Sequence, residues 1–129
     1  MDPTKPKKII GIVGTRRRDR YHDYVAVEEE FFKVYEEGDW ICSGGCPKGG
    51  DRFAEKIAKK YGIPILIYYP NWARHGRGAG FVRNTYIAKV SHVLIACVAD
   101  DRTGGTEDTI EKFEKYNPGL TFETKARLV

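Results

Sequence analysis

Glycine and arginine crowd four short stretches of this chain: GTRRRDR (14–20), SGGCPKGGD (43–51), PNWARHGRGAG (70–80) and ADDRTGG (99–105). Glycine lets a backbone approach a ligand closely, and backbone N–H groups at the start of a helix bind anions. Arginine adds a fixed positive charge and a fork of donors. Together they are the chemistry of phosphate binding. The stretches carry the basic side chains Arg16, Arg17, Arg18, Arg20, Lys48, Arg74, Arg77 and Arg102, against the acids Asp19, Asp51, Asp100 and Asp101. That surplus is as large as the formal net charge of the whole chain, +4. Each feature also has a plainer reading. Glycine pairs after strands make tight turns, Asp51 suits a helix cap, and an arginine run is often a solvated surface. Neither GxGxxG nor GxxxxGK[ST] occurs, which excludes a dinucleotide fingerprint and a P-loop.

The elements that must position these loops follow from periodicity. KIIGIVG (8–14), WICS (40–43), IPILIYY (63–69) and SHVLIACVA (91–99) are short apolar runs of the kind that form strands buried on both faces. Apolar residues at 24, 27, 31, 34 and 35 predict a first helix from about His22 to Glu37, ended by Gly38. Phe53, Ile57, Ala58 and Tyr61 form the apolar side of a second helix that stops at Gly62. FVRNTYIAKV (81–90) and TEDTIEKFEKY (106–116) read as two more, and LTFETKARL (120–128) as an edge strand. Residues 70–80 read as a long loop. Strands alternating with helices imply an α/β fold: one doubly wound, Rossmann-like parallel sheet of about five strands in the order 3-2-1-4-5, with helices on both faces. All four loops then share the carboxyl edge of the sheet, where such folds bind ligands beside the reversal of strand order. This convergence is what favours phosphate over the plainer readings.

Length and composition fit a single domain over residues 1–129, with 1–7 as a flexible start. Hydrophobic residues make up 41% and charged residues 31%, ordinary for a globular protein. No apolar run approaches the roughly 20 residues of a membrane span. The polar start MDPTKPKK has no signal-peptide core, so a cytoplasmic location is expected. Cys42, Cys46 and Cys97 lack partners at metal-ligand spacing, and no metal or resident cofactor is expected. Trp72, Tyr68 and Tyr69 flank the long loop, where an aromatic ring either stacks on a base or plugs the gap beneath the loop.

IGIVGTRRRD, SGGCPKGGDRFAEKIAKKYGIP, AGFVRN and GGTEDTIEKF, taken together, resemble the SLOG superfamily, in particular its small YspA-like branch, over about residues 8–116. The superfamily has a Rossmann-like fold that binds nucleotides and nucleotide-derived ligands. It includes the Lonely Guy phosphoribohydrolases and the DNA-processing protein A family. The resemblance assigns ligand contacts to Gly14, Thr15 and Arg16 after the first strand, and to Ser43, Gly44, Gly45, Gly49 and Asp51 in the second loop. It adds Arg83 and Asn84 at the third helix, and Gly104, Gly105 and Thr106 in the last turn, which would hold a phosphate. The Lonely Guy pattern PGGxGTxxE, with its catalytic glutamate, is here TGGTEDTIE. Thr103 replaces the proline, and Thr109 stands three residues after Thr106. An N-glycosidase reading therefore has to recruit Glu107 or Glu111 as its carboxylate, with Arg83 orienting the phosphate. The resemblance implies first a sensor or carrier of a phosphorylated nucleotide derivative, and second a hydrolase of nucleoside monophosphates. A DNA binder ranks third, because no DNA-reading motif is present. Related folds often pair through helices, so a homo-oligomer is one arrangement the resemblance implies.

Overall fold

The computed structural model describes residues 4–119 and 126–129. Five strands, β1 (Ile9–Gly14), β2 (Trp40–Ser43), β3 (Ile65–Ile67), β4 (Val93–Cys97) and β5 (Arg127–Leu128), form one sheet in the order β3-β2-β1-β4-β5. Every pairing is parallel, with Gly11 opposite both Cys42 and Leu94. Around the sheet lie α1 (Tyr21–Val34), α2 (Gly50–Tyr61), α3 (Trp72–His75), α4 (Ala79–Val90) and α5 (Gly105–Tyr116). Among the described residues no helix is long and apolar enough to cross a membrane.

Alternation along the strands divides the core. Ile10, Ile12, Ile41, Ile95 and Cys97 point to the side of α1 and α2, where Tyr24, Val27, Phe31, Phe53 and Ile57 pack on them. Val13, Cys42, Leu94 and Ala96 point the other way, against Ile87 and Ala88 of α4 and Ile110 and Phe113 of α5. A strand buried on both faces needs apolar residues at successive positions, which is why these runs show no polar alternation.

Several boundaries differ from the sequence expectation. α1 ends three residues early, at Val34, with Tyr35 extended. The Asp39 carboxylate accepts from the Glu36 amide and closes a tight turn in place of a last helical turn. Gly62 does end α2, in the left-handed conformation with φ 67°. The expected 70–80 loop contains the one-turn α3 and a 3₁₀ turn at Gly76–Gly78. Asn71 caps α3 by accepting from the Arg74 amide, and α4 begins at Ala79, two residues early. The expected start of the edge strand, residues 120–125, lies outside the described residues, as do residues 1–3 of the expected flexible start. Lys7 of that start is held in place: its amide donates to the Gly38 carbonyl and its ammonium pairs with Glu36.

Candidate functional site

The carboxyl ends of β1, β2 and β4 and the loops beyond them surround a cleft of about 780 Å³, beside the reversal of strand order between β1 and β4. Its walls are Gly14, Thr15, Arg16 and Arg17 after β1, and Gly44, Gly45, Cys46, Pro47 and Asp51 after β2. They continue with Tyr69, Pro70 and Trp72 after β3, Arg83, Asn84 and Ile87 of α4, and Gly104, Gly105, Thr106 and Thr109 at α5. Residues far apart in sequence thus meet around one space. Of the expected ligand contacts, Ser43 and Gly49 are not in the wall. Ser43 is buried beneath it, and Gly49 is buried where α2 begins.

The glycines of the second loop seat parts of the protein against one another. A side chain at Gly50 would overlap the backbone of Val13 and Gly14, so the first turn of α2 lies directly on the end of β1. Gly49, at φ 74°, lies equally close to the Thr15 carbonyl. Gly45 adopts φ 77°, and the ring of Tyr69 fills the space its side chain would take. The Arg83 guanidinium lies over Gly44 in the same way.

That seat fixes a buried charge pair. Arg83 Nη1 donates to the Gly44 carbonyl at 2.5 Å and lies 4.0 Å from Asp51 Oδ2. Burial pushes the Asp51 carboxyl up from its ordinary range, while the Ser43 hydroxyl, the Cys46 amide and the Arg83 charge act against that. Ser43 Oγ lies 2.5 Å from the Ile12 carbonyl and 2.8 Å from Asp51 Oδ1. A hydroxyl has one proton to donate, so a proton on Asp51 would satisfy the second contact. Arg83 Nε also donates to Asn84 Oδ1 at 2.9 Å. Asn84 Nδ2 in turn donates to the Gly105 carbonyl and to Asp108, and Asp108 pairs with Lys112. A continuous polar chain therefore ties the β2 loop through α4 to the first turn of α5.

Four long helices start at this edge, and α2 and α5 differ in what meets their first amides. At α2 the Gly49 amide already donates to Asp19 Oδ1 at 2.7 Å, and Arg52 completes that carboxylate's shell. The Gly49 amide and then Arg52 hold the Asp19 carboxyl below the ordinary range. At α5 no side chain caps the helix, and its opening residues Gly105 and Thr106 line the cleft. The first N–H groups of a helix have no intrahelical acceptor, and Gly105 and Thr106 carry two of those of α5. The acids of that turn are engaged elsewhere: Glu107 with Arg102, and Asp108 with Lys112. Arg17 bridges from the β1 loop to Asp101 at 2.9 Å and to the Thr103 carbonyl, fastening the loop that leads into α5. Arg102 within that loop adopts φ 54°, a left-handed conformation uncommon outside glycine. Arg16 is exposed, lines the cleft, and has no side-chain partner among the described residues.

The two glutamates proposed as catalytic do not reach the cleft. Glu107 is bound to Arg102, and Glu111 is exposed on the far side of α5 from the buried Thr109, Ile110 and Phe113. Among the described residues Asp51 is the one carboxylate in the cleft wall. Cys46 lines the cleft, whereas Cys42 and Cys97 are buried and their thiols are pushed up to about 11 by burial. His75 lies in a side chamber of about 220 Å³ that shares Tyr69 and Arg83 with the cleft. Thr109 was missed as a wall residue, although its spacing of three from Thr106 puts both on one helix face. Comparison with family models, with curated proteins and with solved structures finds no match to this chain.

Proposed function

We propose that the cleft binds a nucleotide or nucleotide-derived ligand by its phosphate, as a sensor or carrier. The observation that carries this reading is the start of α5, whose residues Gly105 and Thr106 line a cleft that the unpartnered Arg16 also lines. At α2 the N-cap amide of Gly49 already donates to the protein's own anion, Asp19. Location at the switch between β1 and β4 supports the same reading, as does the resemblance of the four turns to the SLOG superfamily. The hydrolase reading has less behind it. Glycoside cleavage needs a carboxylate at the sugar, and the only one in the described wall, Asp51, is held by Ser43, the Cys46 amide and Arg83.

Thermal-shift titration tests the proposal with adenosine, adenosine 5′-monophosphate and ribose 5-phosphate, followed by chromatography of the incubated ligand. The expected outcome is stabilisation by both phosphates, none by adenosine, and recovery of intact ligand. Release of free base would replace the sensor reading with a hydrolase. Equal stabilisation by adenosine and its 5′-phosphate would overturn the phosphate assignment.

A further inference from the structure

The two ends of the cleft differ in chemistry. Beyond β4 the cleft is bounded by the opening turn of α5, and Arg16 lines it from the β1 loop. Beyond β3 it is bounded by Tyr69, Pro70 and Trp72, and Pro47 of the β2 loop lines it as well. Tyr69 and Trp72 are 66% and 60% exposed, large values for aromatic side chains. Tyr69 is not loose, however. Its ring occupies the space left by the absent side chain of Gly45, so one part is packed against the loop and the rest is open. Trp72 opens α3, whose cap Asn71 and cap amide Gly76 hold the single turn closed. A volume of about 780 Å³ is also far more than a phosphate needs, and lies in the range that takes a drug-sized ligand.

We propose that Tyr69 and Trp72 form a stacking platform for a planar base, so that the site selects nucleoside 5′-phosphates over sugar phosphates. This rests on the phosphate reading above and adds the opposite subsite. Aromatic faces attract every base, so the platform supplies affinity without choosing among bases. The side chamber behind Tyr69 brings Asn71 and His75 near the same end, where a base edge finds polar groups. Phosphate at α5 and base at Tyr69 and Trp72 place the ribose in the middle of the cleft, beside Arg83, which lines both cavities.

The chain has two tryptophans, Trp40 and Trp72, so a Trp40→Phe variant reports on Trp72 alone. Adenosine 5′-monophosphate should quench its emission and bind roughly 5- to 100-fold more tightly than ribose 5-phosphate, the increment of one base on an aromatic ring. Trp72→Leu and Tyr69→Leu, titrated calorimetrically, should each narrow that ratio without weakening ribose 5-phosphate. Those two variants also give the answer if Trp40→Phe does not fold, because Trp40 is half-buried in β2 and theirs are exposed side chains. Equal affinities for the two phosphates with no quenching would overturn the platform and leave the phosphate reading standing. Adenosine that binds and quenches as well as its 5′-phosphate would sustain the platform and overturn the phosphate reading. No binding by any of the three would overturn both.

Discussion

Replacing Arg83 with methionine keeps the length of the side chain and removes its charge, and the structure sets what should follow. Arg83 and Asp51 are 18% and 9% exposed at their side chains and lie 4.0 Å apart, so solvent screens them little. At an effective dielectric of about 20, their attraction is about 4 kcal/mol. Part of that is recovered in the variant, because Asp51 can take up a proton. The hydrogen bonds to Gly44 and Asn84 are lost as well. A net cost of about 2–4 kcal/mol near pH 8 is expected. Its pH dependence is the sharper test. The Asp51 carboxyl is raised by burial, so the folded state holds a proton that the unfolded state releases above its ordinary value of about 3.9. The resulting stability is fully present below that ordinary value and is lost as pH rises through the raised one. Removing the cation lifts the folded value further. The difference between wild type and Arg83→Met should therefore widen with pH, by up to about 1.4 kcal/mol per unit within the window. Urea unfolding followed by circular dichroism, in a pH series that starts in the ordinary carboxylate range and rises through neutral, measures it. Asp51→Asn in both backgrounds should flatten the trend. A wild-type-to-variant difference that stays constant across this range would refute the coupling.

Four further outcomes are expected. Gly50→Ala, whose methyl would overlap the Val13 and Gly14 backbone, should cost about 3 kcal/mol or more in unfolding free energy. Gly105→Ala, which meets nothing within 4 Å, should leave stability unchanged or raise it by about 0.4–1 kcal/mol. Gly45→Ala combines φ 77° with displacement of Tyr69, and a loss of about 1–2 kcal/mol should accompany a changed tyrosine signal in near-ultraviolet circular dichroism. The Asp101 carboxyl is held at about 2 by Arg17 and Thr103, so Arg17→Ala should bring its NMR titration back toward the ordinary range of about 3.9.

The layout of the fold was legible because buried parallel strands announce themselves as short apolar runs separated by helical periods. IIGIVG and VLIAC could hardly be anything else, and the strand order follows from connection rules. Capping chemistry was less visible. Nothing in PNWARHGRGAG has helical periodicity, yet Asn71 nucleates one turn with its own side chain. The end of α1 was misplaced because Asp39, which closes the turn in its stead, lies beyond the periodic stretch. Composition pointed to the edge where the cleft lies but not to which side chains hold one another there. Gly44 and Gly45 look like ligand-approach glycines, and their shape is set by Arg83 and Tyr69, which lie 39 and 24 residues further along the chain. Spacing within a motif cannot reveal a partner contributed by another loop. For Glu107 the partner is local instead: Arg102, five residues before it, takes its carboxylate.

Charge is where sequence and structure diverge most. Counted along the chain, the edge loops carry a surplus of basic side chains. Folded, Arg17 is bound to Asp101 and Thr103, Arg102 to Glu107, and Arg18 to Asp23 and the carbonyls of Val98 and Val129. Arg83 is matched to Asp51. Within the cleft wall, Arg16 is left as the guanidinium without an internal partner among the described residues. A polyanion tracked along a surface needs many free cations, and each phosphate it neutralises steepens the loss of affinity with salt. Outside the wall, Arg20, Lys48, Arg74 and Arg77 of these loops are exposed and form no ion pair among the described residues. The internal pairing also ties the loops after β1 and β4 together across a cavity of about 780 Å³: Arg17 reaches Asp101 and Thr103, and Arg18 reaches the Val98 carbonyl.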